Sequence, residues 1–517
     1  MAWVRAACVA ALFLFGAGTA AWSQDVTLFS RDKSVEISGT LLGFDGEFYR
    51  LDTIYGELTV DGSGVSCDGP GCPNLDDYVA EIDISGARSM GRVLLPALFE
   101  VFAQNAGLSL LRFKPEPDEM EFVFSDAESG KPVGRFYLHL TGTEEGFADL
   151  LADEADLVLA RREVTQIEVD RASEIGLGNL RDRSRVLALD ALVPIVSPGN
   201  PITQISSEML SQVLSGKIND WSQLGGPEAP ISIHLRDRTS GLFQRIDQRL
   251  LAPVNQTLSE TARRYLTDQD VAKAVEADPF GIGVASANEI GNTKTLALSG
   301  SCGFELKATR RTIKTEDYPL TAPLFLYSPA RRLPKLARDF LTFSHSPAAQ
   351  LVVRRAGFTD QTVETIPVED QGSRFVNAIA QAGPEIELSE LRRMIEVMKD
   401  KSRLTLSFRF EAGSSSLDGQ SRSNVAYLAQ LLEAGIYDTR ELVFMGFSDG
   451  EGSATANRTI SERRAQAVLE AVRSAAETAN FDRLSLKAEA FGEALPMACD
   501  DSAWGRQVNR RVEVWVK

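Results

Sequence analysis

Residues 231–241 read Ile-Ser-Ile-His-Leu-Arg-Asp-Arg-Thr-Ser-Gly. The first five residues favour a short strand, and the apolar residues after the glycine recur at helical spacing as far as Leu250. The stretch therefore predicts a strand, a tight polar turn and a helix. Segments 84–89 and 140–146 have the same order of strand, small polar or glycine residues, and helix.

A turn of this kind can bind an anion. The N-terminus of a helix offers unpaired N–H donors and the positive end of the helix dipole. Glycine lets a ligand approach the backbone, and Ser or Thr hydroxyls add donors. Any one of these segments, taken alone, is more often just a capped helix. Because such turns converge at one edge of an α/β sheet, three of them in one domain predict an oxyanion site.

The pattern outside these turns divides the chain into regions. Strands alternate with amphipathic helices from about residue 79, which is typical of an α/β domain. Short β-branched runs separated by turns precede it, and a second block of strands and helices follows. The predicted regions are a signal peptide (1–23), a small β module (24–78), an α/β domain (79–360), a linker with a helix (361–403) and a C-terminal α/β domain (404–517).

The N-terminus is typical of a secretory signal. Arg5 precedes a short apolar run, and an Ala-Trp-Ser sequence predicts cleavage after Ser23. A membrane anchor is the alternative, although the apolar run is short for a span. Export implies an oxidising compartment, so Cys67 and Cys72 are predicted to form a small disulfide; a metal knuckle is the other interpretation of their spacing. The partners of Cys302 and Cys499 are left open.

Composition excludes several functions. The chain has 54 Lys and Arg against 72 Asp and Glu, a formal net charge of −18, which is unsuited to nucleic acid. It has only three histidines, far apart, and it lacks a P-loop, a G-x-S-x-G elbow and an H-E-x-x-H helix. We therefore expect no catalytic residues, no metal and no cofactor.

The α/β domain resembles the periplasmic phosphate-binding proteins of ABC transporters. The spacing Arg236-x-x-x-Ser240-Gly241 matches that family's phosphate-binding motif, and segments 188–196, 214–226, 281–284 and 318–320 are also similar. The resemblance implies a type II fold with two α/β lobes, a two-strand hinge and a ligand in the cleft. It implies these oxyanion-binding residues: Ser85, Ser89, Thr143, Arg236, Ser240 and Gly241.

One position departs from that family. Phosphate-specific members have an acidic residue where this chain has Arg161. That carboxylate accepts a hydrogen bond from protonated phosphate, whereas arginine only donates. Arg161 is added to the predicted oxyanion site, which we expect to lack a carboxylate and to discriminate modestly against sulfate. The alternative is that Arg161 points to solvent or pairs with a nearby acid such as Glu163.

The C-terminal domain resembles the OmpA-like peptidoglycan-binding domains, an α+β fold. The matching segments are 447–452, 457–468 and 505–514. The resemblance implies that Asp449 binds the ammonium of diaminopimelate and that Arg464 binds its carboxylate, an arrangement of opposed charge-assisted bonds. By the same resemblance Asn457 and Arg510 support the loop or the ligand.

The sequence therefore predicts an exported solute-binding protein of the periplasm, associated with peptidoglycan and the outer membrane. Its expected ligands are phosphate or a similar oxyanion and the diaminopimelate stem peptide. An ABC permease or another envelope protein is the expected protein partner. The alternative is an envelope structural or sensing protein whose cleft no longer serves transport.

Overall fold

The structure is a computed structural model that describes residues 25–411, 414 and 416–517. The predicted signal peptide lies outside these residues. The chain divides into two compact units, Met1–Ala80 and Glu81–Lys517.

The first unit contains one antiparallel sheet of five strands in the order β4-β3-β2-β1-β5. Alternate residues of β1 and β3 face its small core, which contains Val26, Leu28, Tyr49 and Leu51. A disulfide joins Cys67 to Cys72. The strands are β1 (Asp25–Ser30), β2 (Glu36–Phe44), β3 (Phe48–Thr53), β4 (Gly56–Asp61) and β5 (Val65–Asp68).

The second unit begins with lobe 1, which comprises residues 81–183 and 328–358. A π-helical turn, Met90–Leu94, leads into its first helix. The elements of its first part are β6 (Ala80–Gly86), α1 (Leu95–Ala106), β7 (Leu108–Phe113), β8 (Glu119–Asp126), β9 (Pro132–His139), α2 (Thr143–Leu151), β10 (Leu157–Ala160) and α3 (Gln166–Glu174).

Lobe 2, residues 197–320, is joined to lobe 1 by two strands. The first, β11 (Ser184–Val196), enters lobe 2, and β19 (Thr321–Tyr327) returns beside it antiparallel. Between them lie β12 (Gln204–Ser206), α4 (Ser207–Leu214), β13 (Ser232–Arg236), α5 (Gly241–Ile246), β14 (Arg263–Tyr265), α6 (Asp268–Ala277), β15 (Gly281–Ser286), β16 (Lys294–Thr295), β17 (Ala297–Ser299), β18 (Glu305–Leu306) and α7 (Arg310–Lys314).

One large sheet runs through both lobes in the order β14-β13-β15-β11-β19-β10-β6-β9-β8-β7, with β16 paired to β11. β6 is parallel to β10, and β13 is parallel to β15, while the two connecting strands lie antiparallel between these pairs. The helices α8 (Lys335–Phe343) and α9 (Pro347–Arg355) then complete lobe 1. This topology brings the carboxyl ends of the parallel strands of both lobes towards one cleft.

The C-terminal region has a sheet in the order β20-β21-β24-β22-β23. The segment expected to be a linker supplies its edge strand and two helices. Its elements are β20 (Thr365–Pro367), α10 (Gly372–Gln381), α11 (Leu388–Met398), β21 (Ser402–Arg409), α12 (Gly419–Glu433), β22 (Glu441–Phe447), α13 (Ala454–Ala475), β23 (Ser485–Ala490), α14 (Ala503–Asn509) and β24 (Arg511–Val516).

Within residues 25–411, 414 and 416–517, no helix has the length and apolar character needed to cross a bilayer. Across the same residues, no group of three or more His, Cys, Asp or Glu side chains is arranged to hold a metal ion.

Candidate functional site

A cavity of about 150 Å³ lies where the turns after β6, β9, β13 and β14 meet. Lobe 1 contributes the first two turns and lobe 2 contributes the others, so the cavity is the interlobe cleft. Its polar lining residues are Arg88, Ser89, Arg92, Thr141, Thr143, Arg161, Arg236, Ser240, Thr267, Asp268, Gln269 and Glu289.

The lobe 2 wall is built by the turn between β13 and α5. Arg236 is the last residue of β13, and Ser240 caps α5 by accepting a hydrogen bond from the N–H of Phe243 at 3.2 Å. The next residue is Gly241. A Cβ at this position would lie 2.5 Å from the hydroxyl oxygen of Thr143 in lobe 1, which is too close. Glycine at this position therefore lets the two lobes approach each other.

The lobe 1 wall carries hydroxyl groups at the starts of its helices. Thr143 is the buried first residue of α2, and its Oγ1 accepts from the backbone N–H of Arg161 at 3.1 Å. Ser89 accepts from Nη1 of Arg161 at 3.2 Å. Thr141 also lines the cavity, and its buried Oγ1 has no hydrogen-bond partner.

Two arginines share one carboxylate in the cleft. Nη1 of Arg161 and Nη1 of Arg236 lie 3.2 and 3.3 Å from the same Oδ2 of Asp268, and Nη2 of Arg161 lies 2.8 Å from Asp190. Burial acts to lower the pKa of Arg161, but Asp268 and Asp190 outweigh it and the pKa lies above its ordinary value. Arginine side chains stay protonated in proteins, so both groups carry a positive charge. The Nε atoms of Arg161 and Arg236 are buried and have no hydrogen-bond partner.

The lining of the cavity also contains two carboxylates, those of Asp268 and Glu289. Oδ1 of Asp268 is buried and has no hydrogen-bond partner. Glu289 lies beside it, and burial, with a further contribution from Asp268, raises the pKa of Glu289 to about 7. The cavity thus offers donors from arginines and hydroxyls together with at least one carboxylate acceptor.

The C-terminal domain has a second charged cluster. Nη1 of Arg510 lies 2.5 Å from Oδ2 of Asp449, which follows β22 and is buried. Arg464 is on α13, with its guanidinium carbon 5.2 Å from the ring centre of Phe410. Burial and the neighbouring Arg510 lower the pKa of Arg464, while Asp449 acts in the opposite sense. A carboxylate and two guanidinium groups therefore lie in one neighbourhood.

Asn457 belongs to the same region through its neighbours. Its Nδ2 donates to Glu493, and burial raises the pKa of Glu493, with additional contributions from Glu385, Asp500 and Asp449. Asp500 accepts from the N–H of Gly450 at 2.8 Å. The Asp449 loop is thus surrounded by carboxylates, which favours a cationic group there.

Comparison with known families identifies both regions. The PBP superfamily domain matches residues 84–348, just over half of the chain. The chain belongs to the PBP superfamily. The OmpA family matches residues 409–510. The two-lobed α/β fold and the C-terminal OmpA domain expected from the sequence are both confirmed. The relatives found are binding proteins, in agreement with the expectation that the chain is not an enzyme.

Three individual proteins illustrate the similarity. The phosphate-binding protein PstS of Borreliella burgdorferi is 26% identical over 42% of this PBP-superfamily chain and 76% of its own length. The protein SphX of Synechococcus elongatus is 25% identical over 42% of this chain and 67% of its own length. A putative phosphate ABC transporter substrate-binding protein with bound phosphate from Clostridium perfringens is 18% identical, covers 54% of this chain and 99% of its own, and has a TM-score of 0.42.

The structure of this PBP-superfamily cleft brings together six of the seven residues assigned to the oxyanion site. Those that line the cavity are Ser89, Thr143, Arg161, Arg236, Ser240 and Gly241. Ser85 does not line it. Its buried side chain donates to Asp149 of α2. Successive side chains of a strand lie on opposite faces of the sheet, and Ser85 lies on the face that α2 covers.

The expectation that the cleft lacks a carboxylate is wrong, since Asp268 and Glu289 both line it. Arg161 combines the two alternatives considered for it: it faces the cavity and it pairs with acids, although these are Asp190 and Asp268 and not Glu163. Arg88 was also missed; it lies in the predicted turn 84–89 and pairs with Asp118 at 2.8 Å.

Proposed function

We propose that the chain is an exported envelope protein whose cleft binds phosphate or a similar protonated oxyanion. The observation that carries this proposal is the cleft itself, where two arginines, capped helix starts and the carboxylate of Asp268 line one small cavity. Phosphate binding by proteins similar over 42% of the chain supports it.

The role of each group follows from its chemistry. Arg161 and Arg236 supply charge-assisted hydrogen bonds to oxygen atoms of the anion, and Ser89 and Thr141 supply hydroxyl donors. The hydroxyl of Ser240 donates to the carbonyl of Asp237 at 2.8 Å and holds the turn. Oδ1 of Asp268 accepts a hydrogen bond from a P–OH group. Sulfate is fully ionised near neutral pH and has no proton to donate, so it would leave this oxygen unpaired and facing an anion. We therefore propose that the cleft selects phosphate over sulfate. The hydrogen-bond acceptor is Asp268, whereas related proteins have an acidic residue at the position of Arg161.

Calorimetry of the full chain with inorganic phosphate tests this role. Arg236→Ala should weaken binding by about 1.5–3 kcal/mol, as expected for a hydrogen bond to a charged group. Arg238→Ala, an exposed change two residues away, is the matched control and should leave binding unchanged. Absence of phosphate binding by the wild-type chain would overturn the proposal, as would an Arg236→Ala variant with wild-type affinity.

We further propose that the OmpA domain binds peptidoglycan through its diaminopimelate groups. Asp449 would bind the ammonium and Arg464 the carboxylate, with Arg510 and Asn457 holding the loop between them. The supporting observation is the pairing of Asp449 with Arg510 beside Arg464, among carboxylates that favour a cation. Export by the segment 1–23 would place the chain in the periplasm, tethered to the wall near the outer membrane.

Sedimentation of the full chain with isolated peptidoglycan sacculi tests the tether. Asp449→Ala and Arg464→Ala should both leave the protein in the supernatant, because each removes one of the two opposed charges that the zwitterion needs. Arg463→Ala changes an exposed neighbour and should still pellet. Pelleting of both site variants at the wild-type level would refute the assignment.

A further inference from the structure

The OmpA domain together with the segment that precedes it, residues 361–517, contacts both lobes of the receptor. Lobe motion in such a fold requires β11 and β19 to bend or twist relative to each other. A domain attached to both lobes resists that motion, because one set of contacts must break whenever the lobes rotate.

The attachment to lobe 2 is covalent and ionic. A disulfide joins Cys302 of lobe 2 to Cys499 in the loop before α14. Arg403 of β21 forms two hydrogen bonds with Asp317, at 2.7 and 2.9 Å, and both side chains are buried. Nη2 of Arg409 donates to the carbonyl of Glu316 at 2.6 Å.

The attachment to lobe 1 is made by the start of α12. The N–H of Gly419 donates to Glu163 at 2.9 Å, and Arg422 lies 3.6 Å from the same carboxylate. A Cβ on Gly419 would lie 2.8 Å from that carboxylate oxygen, so the two elements are in close contact. Glu163 lies two residues after Arg161, which places this contact beside the lobe 1 wall of the cleft.

A third link lies where the OmpA domain leaves lobe 1. Asp360 is fully buried, accepts from Lys314 of lobe 2 at 2.9 Å and from Arg354 of lobe 1 at 3.1 Å. These two bonds hold the pKa of Asp360 below its ordinary value despite burial, the largest single influence, which acts to raise it. One ionised carboxylate therefore joins helices of the two lobes at the base of the OmpA domain.

A further link between the two lobes lies inside the cleft. Arg161 of lobe 1 is paired with Asp268 of lobe 2 and with Asp190 on the connecting strand β11. An ion pair within the protein thus already joins the two lobes across the cleft.

From these contacts we propose that the OmpA domain is a brace that holds the two lobes in one arrangement. The anion then enters and leaves a preformed cleft, and lobe closure does not accompany its binding. This inference rests on the proposed function for the identity of the ligand. A braced receptor cannot signal occupancy to a permease by closing, which favours wall-attached retention or sensing of the anion over its delivery.

Distance measurements between spin labels on the two lobes test the brace. Lys131 and Glu228 are exposed on lobe 1 and lobe 2, and noncanonical amino acids at these positions accept labels while the native cysteines stay paired. In the otherwise wild-type chain the brace predicts a narrow distance distribution that saturating inorganic phosphate shifts by less than about 2 Å, the scale that separates rearrangements from local adjustment. A larger shift overturns the proposal.

A variant with the brace cut provides the second arm. The cut variant combines Cys302→Ser and Cys499→Ser, which remove the covalent attachment, with Gly419→Ala, which displaces Glu163. The control is Gly383→Ala, where a Cβ meets no atom within 4 Å. Without phosphate the cut variant should have a broader distribution than the wild type, and an unchanged distribution overturns the brace. Should this variant fail to fold, the wild-type shift decides.

Calorimetry on the same labelled samples separates the two proposals. If phosphate binds and the lobes move, the brace fails and the proposed function stands. If phosphate does not bind, the proposed function fails, and the ligand-free distributions of the wild type and the cut variant still decide whether the brace exists.

Discussion

Replacement of Asp268 by asparagine should shift the anion preference of the cleft from phosphate towards sulfate. Oδ2 of Asp268 lies 3.2 Å from Arg161 and 3.3 Å from Arg236, while its buried Oδ1 has no partner. Asparagine keeps the size of the side chain and one acceptor oxygen, but it removes the negative charge. The variant tests whether Oδ1 accepts a hydrogen bond from the ligand.

The magnitude follows from two opposing effects. Phosphate loses a charge-assisted hydrogen bond to the carboxylate, which contributes about 1.5–3 kcal/mol, or roughly 10- to 100-fold in Kd. Sulfate loses a repulsive neighbour; unit charges 4 Å apart interact by about 4 kcal/mol at an effective dielectric constant near 20. Because Arg161 and Arg236 also become less neutralised, we expect sulfate to bind at least about tenfold more tightly.

Calorimetric titration of both anions into the wild type and Asp268→Asn measures this exchange. Glu276→Gln on the same helix is the control, since it removes one exposed carboxylate and leaves the cavity intact. A variant that binds both anions with wild-type affinities would refute the assignment of Asp268 as the acceptor. Equal weakening of both anions would mean that Asp268 only orients the arginines.

Three further outcomes depend on other buried groups. The pKa of Glu289 is raised to about 7, so this carboxyl ionises between pH 6 and 8. The added negative charge should weaken sulfate binding roughly threefold or more over that range, and calorimetry should show no such trend for Glu289→Gln. Burial, aided by Asp418, raises the pKa of Glu316 to about 8, so between pH 5 and 8 the folded protein keeps a proton that the unfolded chain releases, and wild-type stability falls as pH rises. Glu316→Gln lacks this loss and should gain stability relative to wild type over that range in thermal melts, by up to about 1.4 kcal/mol per pH unit. Replacing Cys302 and Cys499 by serine should lower the free energy of unfolding by about 2–4 kcal/mol in denaturant titrations.

The parts of the cleft that sequence predicts are those with a local signal. Arg236 and Ser240 lie in one strand-turn-helix segment, and the residue pattern of that segment alone predicts where the strand ends and the helix begins. Ser85 was assigned from the same kind of segment, but it lies inside β6 and its side chain faces α2. A shift of one residue relative to the strand end changes the face, and composition alone does not locate that end.

Asp268 had a weaker signal of the same type. It is the first residue of α6 after β14, which has only three residues, Arg263–Tyr265, too short for a periodic pattern. Its position between two arginines depends on both lobes and cannot be inferred from neighbours in the chain.

The contacts of the brace are also non-local. Cys302 and Cys499 are 197 residues apart, and their pairing depends on how the OmpA domain packs on lobe 2. The segment 361–403 was expected to be a linker with a helix. In the structure Thr365–Pro367 pairs with β21, and Asp360 just before the segment is buried between the lobes. The pattern of a single segment does not report which surface covers it.

A crystal structure of the full chain grown with saturating phosphate tests the central claim most directly. We predict tetrahedral density in the cleft, within hydrogen-bond distance of Arg236 and Ser240, with one oxygen next to Oδ1 of Asp268. Crystals in which the cleft holds no such density, while Arg161 and Arg236 bind only Asp268, would contradict the account.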